Sequence, residues 1–273
     1  MNFIDSIRLR WQSGTQVCVG LDPFIDRFPT SFSGQPDAIF EFNKAIIDAT
    51  ASFACCFKPQ FAHYAAEAAE QQLKQTINYI KQQHPNVPVI LDSKRGDIGS
   101  TATMYAREAF EHYAADAVTV NPYMGSDTVL PFAQYQDRGV IVLCRTSNPS
   151  AGEFQNQLID GEPLFIHVAR KAQQLWNEHG NISLVVGATA AEEMASIRAA
   201  APDLPFLVPG IGAQGGDLES TVQNGSFANG QGLMINSSRH ILYASQADNF
   251  AEAAAQEAKT LRDRINQVSL KTV

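Results

Sequence analysis

The chain has 273 residues, 45% hydrophobic and 18% charged, a balance that suits one large globular domain and excludes a disordered or fibrous chain. Its net charge of -8 has the wrong sign for a nucleic-acid binder, so any anionic substrate must be met by locally placed Lys and Arg. No run reaches the roughly 18 apolar residues of a membrane span, and the opening stretch, with Asp5 in it, has no apolar signal core. The expectation is a cytoplasmic protein without a membrane partner.

The first predicted element is a short amphipathic helix carrying Phe3, Ile4, Ile7, Leu9 and Trp11, suited to plug one end of a barrel. The first strand, 17–21, ends in Asp22-Pro23, and helical spacing follows over 37–51 at Phe40, Phe42, Ile46 and Ile47. The second strand, 53–57, ends in Lys58-Pro59. Residues 65–83 are rich in Ala, Glu, Gln and Lys and predict a helix.

The third strand, 87–91, is wholly apolar and runs directly into the densest charge in the chain, Asp92-Ser93-Lys94-Arg95-Gly96-Asp97-Ile98-Gly99-Ser100-Thr101. Alternation sends Asp92 and Lys94 to one side, about 6 to 7 Å apart, and Ser93 to the other. Asp97 falls on a loop loosened by Gly96 and Gly99, free to pair with Lys94 or to reach a neighbouring chain. Such a cluster reads either as a solvated turn of surface ion pairs or as a functional site. Its place at the rim of a core, where unpaired charge is costly, favours the second.

A helix is expected over 101–114, and a fourth strand, 117–120, closes with Asn121-Pro122. The fifth, 140–143, leads to Arg145-Thr146-Ser147-Asn148-Pro149. A helix carrying Leu164, Val168, Ala172 and Leu175 stops at Gly180, before a sixth strand at 183–186. The seventh, 205–208, runs into the glycine loop from Pro209 to Asp217, and the eighth, 232–235, delivers Asn236-Ser237-Ser238-Arg239. A last helix shows Phe250, Ala254, Ala258, Leu261 and Ile265 on one stripe. Eight strands alternating with helices over about 250 residues predict an α/β fold of the closed (β/α)8 TIM-barrel type. No linker or repeat interrupts the pattern, so residues 1–273 form a single barrel domain; an open doubly wound sheet is the alternative.

In a barrel the carboxyl ends of all strands meet on one face, and Asp22, Lys58, Asp92, Lys94, Asn121, Ser147 and Arg239 all fall there. Residues 210–215 also satisfy G-x-G-x-x-G, but late in the chain and with no acidic residue about 20 positions on, so a phosphate loop completed by Arg239 is preferred to a dinucleotide site. Cys18, Cys55, Cys56 and Cys144 show no metal or redox spacing and read as small buried thiols. The six histidines, of which only His63 and His240 lie near strand ends, show no metal-ligand spacing and read as hydrogen-bonded or surface imidazoles. Any chemistry then rests on lysine and carboxylates.

The run from Asp92 to Ile98 resembles the signature of orotidine 5'-phosphate decarboxylases, and Asp22, Lys58, Ser147, the stretch from Pro209 to Asp217 and Arg239 match that family's pattern across nearly the whole barrel. Length and loops resemble its longer bacterial-type group. The resemblance implies cofactor-free decarboxylation of orotidine 5'-phosphate to UMP, with no metal. It makes Lys94 the proton donor to C6, places Asp92 beside the substrate carboxylate, and has Lys58 bridge the carboxylates and the ribose. It further implies that Asp22 holds ribose hydroxyls, that Ser147 reads the base, and that Gln214 and Arg239, with Pro209 beside them, hold the phosphate. Asp97, Ile98 and Thr101 would be contributed across a homodimer interface. Ser238 departs from the glycine that many relatives carry before the arginine. The alternatives are a magnesium-dependent sugar-phosphate decarboxylase or aldolase on the same barrel, and a non-catalytic phosphate-binding barrel.

Overall fold

The computed structural model describes residues 1–211 and 217–272. Its strands in chain order are β1 (Val17–Leu21), β2 (Ala54–Pro59), β3 (Ile90–Arg95), β4 (Ala117–Val120), β5 (Gly139–Arg145), a small hairpin of β6 (Leu158–Ile159) and β7 (Glu162–Pro163), then β8 (Ile182–Val186), β9 (Phe206–Val208) and β10 (Leu233–Ser237). Apart from the hairpin, all are parallel, in the order β2-β1-β10-β9-β8-β5-β4-β3. Parallel bridges from Phe57 to Val89 and from Gln60 to Asp92 join the two outer strands and close the barrel. Strands such as Val17-Cys18-Val19-Gly20-Leu21 are buried throughout, as expected of parallel strands covered on both faces. The closed barrel, rather than an open sheet, is therefore the fold.

The helices are α1 (Phe3–Gln12), α2 (Ala38–Thr50), α3 (Phe61–Ala65), α4 (Glu70–Gln83), α5 (Gly99–Arg107), α6 (Ser126–Ala133), α7 (Gly152–Gln155), α8 (Leu164–Lys171), α9 (Ala191–Ala200), α10 (Leu218–Gly225), α11 (Arg239–Leu242) and α12 (Phe250–Thr272). Helix α1 starts at Asn2, whose side chain accepts from the Asp5 amide at 2.8 Å. It seals the amino-terminal end of the barrel. Phe3, Ile4, Ile7 and Trp11 pack with Cys18, Cys55, Cys56, Ile90 and Met234, and Phe3 lies so close to Gly139 that any side chain there would collide with its ring. Trp11 Nε1 donates to the Leu233 carbonyl at 2.8 Å, fixing the plug to the last strand. Leu9, predicted to share this face, is 49% exposed, because it lies on the opposite side of the helix from Ile7 and Trp11.

Several boundaries move for local reasons. The helix expected over 65–83 starts only at Glu70, as α4; ahead of it α3 ends at Ala65 and Ala68 takes a left-handed φ of 50°. The helix expected over 101–114 begins two residues earlier at Gly99, and past Arg107 it widens into a π-type turn, Glu108–His112. Helix α8 does the same over Ala172–Trp176, and its buried face is Phe165, Ile166, Ala169, Ala172 and Trp176. Leu175, predicted to be internal, is 59% exposed. Strand β2 takes in Lys58 and Pro59, and strands β3, β5 and β10 continue past their apolar runs into the polar residues that follow, so Asp92, Lys94, Arg145, Asn236 and Ser237 stand on strands rather than beyond them. All four cysteines are free and buried. None of the described helices is long and apolar enough to cross a membrane.

Candidate active site

A cavity of about 950 Å³ opens at the carboxyl ends of the strands. All seven residues predicted for that face, Asp22, Lys58, Asp92, Lys94, Asn121, Ser147 and Arg239, line it, together with Pro209. Strand β1 delivers Asp22 at its end. The Tyr243 hydroxyl holds the turn, donating to the Asp22 carbonyl at 3.0 Å and accepting from the Phe24 amide at 2.7 Å.

The charges form an alternating row. Lys58 Nζ lies 2.9 Å from Asp92 Oδ2 and 4.0 Å from Asp22 Oδ1, and Lys94 Nζ donates to Asp92 Oδ1 at 2.7 Å. Gln60 Nε2 donates to Asp92 Oδ2 at 3.1 Å, and the Thr119 hydroxyl donates to Asp92 Oδ1 at 2.8 Å. Asp92 is thus a buried carboxylate with four donors. Burial alone would raise its pKa, but Lys58 and then Lys94 reverse that and hold it well below the usual carboxylate range. Burial alone would likewise lower the Lys58 pKa; the Asp92 carboxylate, seconded by Asp22, holds it above the ordinary lysine value. Asp22 Oδ1 is buried and has no hydrogen-bond partner among the described residues, so it offers a free acceptor to a donor entering the cavity.

Lys94 reaches the cavity by a route that alternation did not foresee. Pairing between β3 and β4 runs Leu91 with Val118 and then Arg95 with Val120, so Asp92, Ser93 and Lys94 together face the single residue Thr119. Lys94 sits at φ 48°, in the left-handed region that side chains seldom occupy. This bulge, not a regular pleat, turns both Asp92 and Lys94 inward. Arg95 turns the other way, where Glu108 grips its guanidinium at 3.0 and 2.9 Å and the rings of Phe61 and Tyr105 flank it. Its part is to anchor the helix after β3.

Asp97 is held by its own turn, accepting from the Ile98 amide at 2.8 Å, and among the described residues no ion pair joins it to Lys94. Neither Asp97, Ile98 nor Thr101 lines the cavity; Ile98 is 50% exposed and Thr101 is exposed. Ser147 is seated by Gly187, where any side chain would come within 2.8 Å of the Ser147 Cβ. Arg239 is exposed at the rim, with no acidic partner among the described residues. Gln214 and the centre of the glycine loop lie outside the described residues. His63 and His240, read from the sequence as uninvolved, both line the cavity; His63 packs edge-on against Phe24 and its Nδ1 lies 3.3 Å from the Pro23 carbonyl.

The charge row and the cavity occur on a chain with close relatives. Residues 15–255 match the family described as orotidine 5'-phosphate decarboxylase / HUMPS. The chain belongs to this family. It is 55% identical over 268 residues to orotidine 5'-phosphate decarboxylase of Janthinobacterium sp. (strain Marseille), covering 98% of this chain and 99% of that one. To orotidine 5'-phosphate decarboxylase of Dechloromonas aromatica (strain RCB) it is 57% identical over 267 residues, covering 97% and 99%. Among solved structures, OMP decarboxylase of Leishmania donovani superposes with a TM-score of 0.82 at 37% identity, covering 96% of this chain and 99% of that one. UMP synthase of the same organism superposes at 0.88 with 39% identity over 98% of this chain, which spans 56% of that longer protein.

Within the orotidine 5'-phosphate decarboxylase / HUMPS fold, the sequence reading missed Gln60, Thr119 and Tyr243. A signal existed for the first two. Gln60 lies two residues past Lys58, and Thr119 is the sole polar residue of the four-residue strand β4.

Proposed function

We propose that the chain decarboxylates orotidine 5'-phosphate to UMP, a step of pyrimidine biosynthesis, and that the Asp22-Lys58-Asp92-Lys94 row performs it. The carbon-carbon bond between C6 and the substrate carboxylate breaks, its electron pair stays on C6, and carbon dioxide leaves. No conjugated sink takes that pair, so the stabilising group must be an electrostatic one fixed at C6. Lys94 Nζ supplies the positive charge and then the proton that forms the new C6–H bond. Asp92, already anionic, faces the departing carboxylate, and their repulsion is relieved as the carboxylate is lost.

Lys58 spans the two acids, leaving Asp22 Oδ1 to accept from a ribose hydroxyl. Arg239 suits the phosphate: it is a guanidinium at the mouth of the cavity with no acidic partner among the described residues, and binding energy from a remote dianion can be realised at the transition state. Gln214 and Pro209 are assigned to the same end, and Ser147 to the base. Asp97, Ile98 and Thr101 complete the site of a second copy in a homodimer. What supports this is that they follow β3 directly yet lie outside their own chain's cavity.

The observation that carries the reading is the pairing of Lys58 and Lys94 on one buried carboxylate in a cavity rimmed by Arg239. The test follows the absorbance change of orotidine 5'-phosphate with purified protein and excess chelator. Full turnover is expected; abolition by chelator, restored by magnesium, would favour the sugar-phosphate alternative. Neither that alternative nor a silent barrel draws support from relatives more than half identical over 99% of their length that are named orotidine 5'-phosphate decarboxylase.

A further inference from the structure

Thr119 is a small buried residue, 1% exposed, on the strand beside the charge row. Its hydroxyl has one hydrogen to donate and two lone pairs to accept with. All three are engaged: it donates to Asp92 Oδ1 at 2.8 Å, and accepts from the Ser93 amide at 3.1 Å and the Lys94 amide at 2.9 Å. Those two amides stand within the bulge, where three residues of β3 face one of β4 and the hydroxyl oxygen takes both of their hydrogens. Lys94, at φ 48°, is the residue the bulge strains.

We propose that Thr119 is the positioning residue of the decarboxylation site, a single hydroxyl that clamps the left-handed backbone of Lys94 and the carboxylate of Asp92 in one fixed relation. The inference rests on the assignment of Lys94 and Asp92 above. Thr119 acts through those two groups, and its strand position sets where they stand. The two functions are inseparable because one oxygen carries both. When it donates to Asp92 its lone pairs are oriented toward the bulge amides, so a rotation of the carboxylate and a relaxation of the Lys94 backbone are coupled. A methyl group in place of the hydroxyl removes the donor from Asp92 and strands both amides together. A residue that merely filled space would be replaced by valine at little consequence, since the two side chains match in shape.

The experiment compares Thr119→Val, Thr119→Ser and Lys94→Ala in the full-length protein, with kcat and KM for orotidine 5'-phosphate, UMP affinity by calorimetry, and thermal unfolding. Thr119→Val is expected to lower kcat by about 10- to 100-fold, the scale on which a misplacement of about 1 Å acts. KM and UMP affinity should stay within about threefold of the parent, because the phosphate grip is remote. Thr119→Ser, which keeps the hydroxyl, should restore most of kcat. Should Thr119→Val not fold, Thr119→Cys, similar in size with a weak donor, takes its place with the same expectation. Parental kcat in Thr119→Val or Thr119→Cys, alongside an inactive Lys94→Ala, would overturn the role of Thr119 alone. Equal losses of kcat in the Ser and Val variants would do the same, marking the methyl as the part that matters. Turnover retained in Lys94→Ala would overturn the underlying assignment and this inference together.

Discussion

Replacing Asp92 with asparagine tests how much of the fold rests on one carboxylate. The side chain is 6% exposed as a residue and receives Lys58 at 2.9 Å, Lys94 at 2.7 Å, Gln60 at 3.1 Å and Thr119 at 2.8 Å. Asparagine keeps the shape. It removes the charge, however, and one of its two positions becomes an NH2 group that must face a donor, whichever way the amide is turned. Lys58, buried beside it, is left with Asp22 at 4.0 Å as its remaining counter-charge among the described residues. Removing one member of a buried ion pair destabilises by about 3 to 5 kcal/mol. Lys94, 46% exposed at its side chain, is solvated enough to add little, so the low end, about 3 kcal/mol, is expected. For a domain of this length each kcal/mol moves Tm by about 2 to 4 °C, giving a fall of roughly 6 to 12 °C in a calorimetric scan. Activity should be lost as well, but the scan is the cleaner readout. A destabilisation under about 1 kcal/mol would mean that Lys58 has water or another partner, and the account of a buried, charge-matched Lys58–Asp92 pair would fail.

Other expectations follow from the same geometry. Arg239→Ala should lower kcat/KM by at least about 2 kcal/mol, the scale of a charge-assisted hydrogen bond; a loss under about 1 kcal/mol would remove phosphate gripping by this residue. The pH dependence of stability has a definite sign. Asp92 is depressed in the folded chain, so its contribution is present above the ordinary carboxylate value, near 4, and fades as pH falls from there toward the folded value. Lys58 is raised, so its contribution is present below the ordinary lysine value, near 10.4, and is lost only as pH climbs through the higher folded value. The stability gap between the parent and Asp92→Asn in urea titrations should therefore shrink as pH falls below about 4. A gap as large at about pH 3 as at about pH 5 would contradict the assignment.

The barrel was legible because its strands are short apolar runs repeated between helical segments, and the site was legible because each run ends in a polar residue. Asp22, Lys58, Asn121, Ser147 and Arg239 needed nothing beyond that rule. What escaped were features set by pairing rather than pattern. The bulge at Asp92 to Lys94 depends on register with β4, and no count along β3 alone reveals that three residues there share one partner. The same cause hid Thr119, whose importance lies in what stands across from it. The break at Ala68 and the wide turns at Glu108–His112 and Ala172–Trp176 escaped because composition there still favours helix, while the backbone turns left-handed at the first and widens at the other two. His63 and His240 were set aside for want of metal spacing, though cavity walls need no such spacing.

The central claim is that the Lys94 ammonium stabilises and then protonates C6, and the most direct measurement is single-turnover decarboxylation by Lys94→Ala. This side chain stands at the cavity surface and Asp92 keeps Lys58, Gln60 and Thr119 without it, so the variant should fold and bind UMP as the parent does. Conversion of orotidine 5'-phosphate should fall by a factor of about 10⁴ or more, the scale of losing both proton transfer and its electrostatic support. Conversion within about tenfold of the parent by a folded, UMP-binding variant would contradict the account, because losing only an incidental contact costs no more than such a factor.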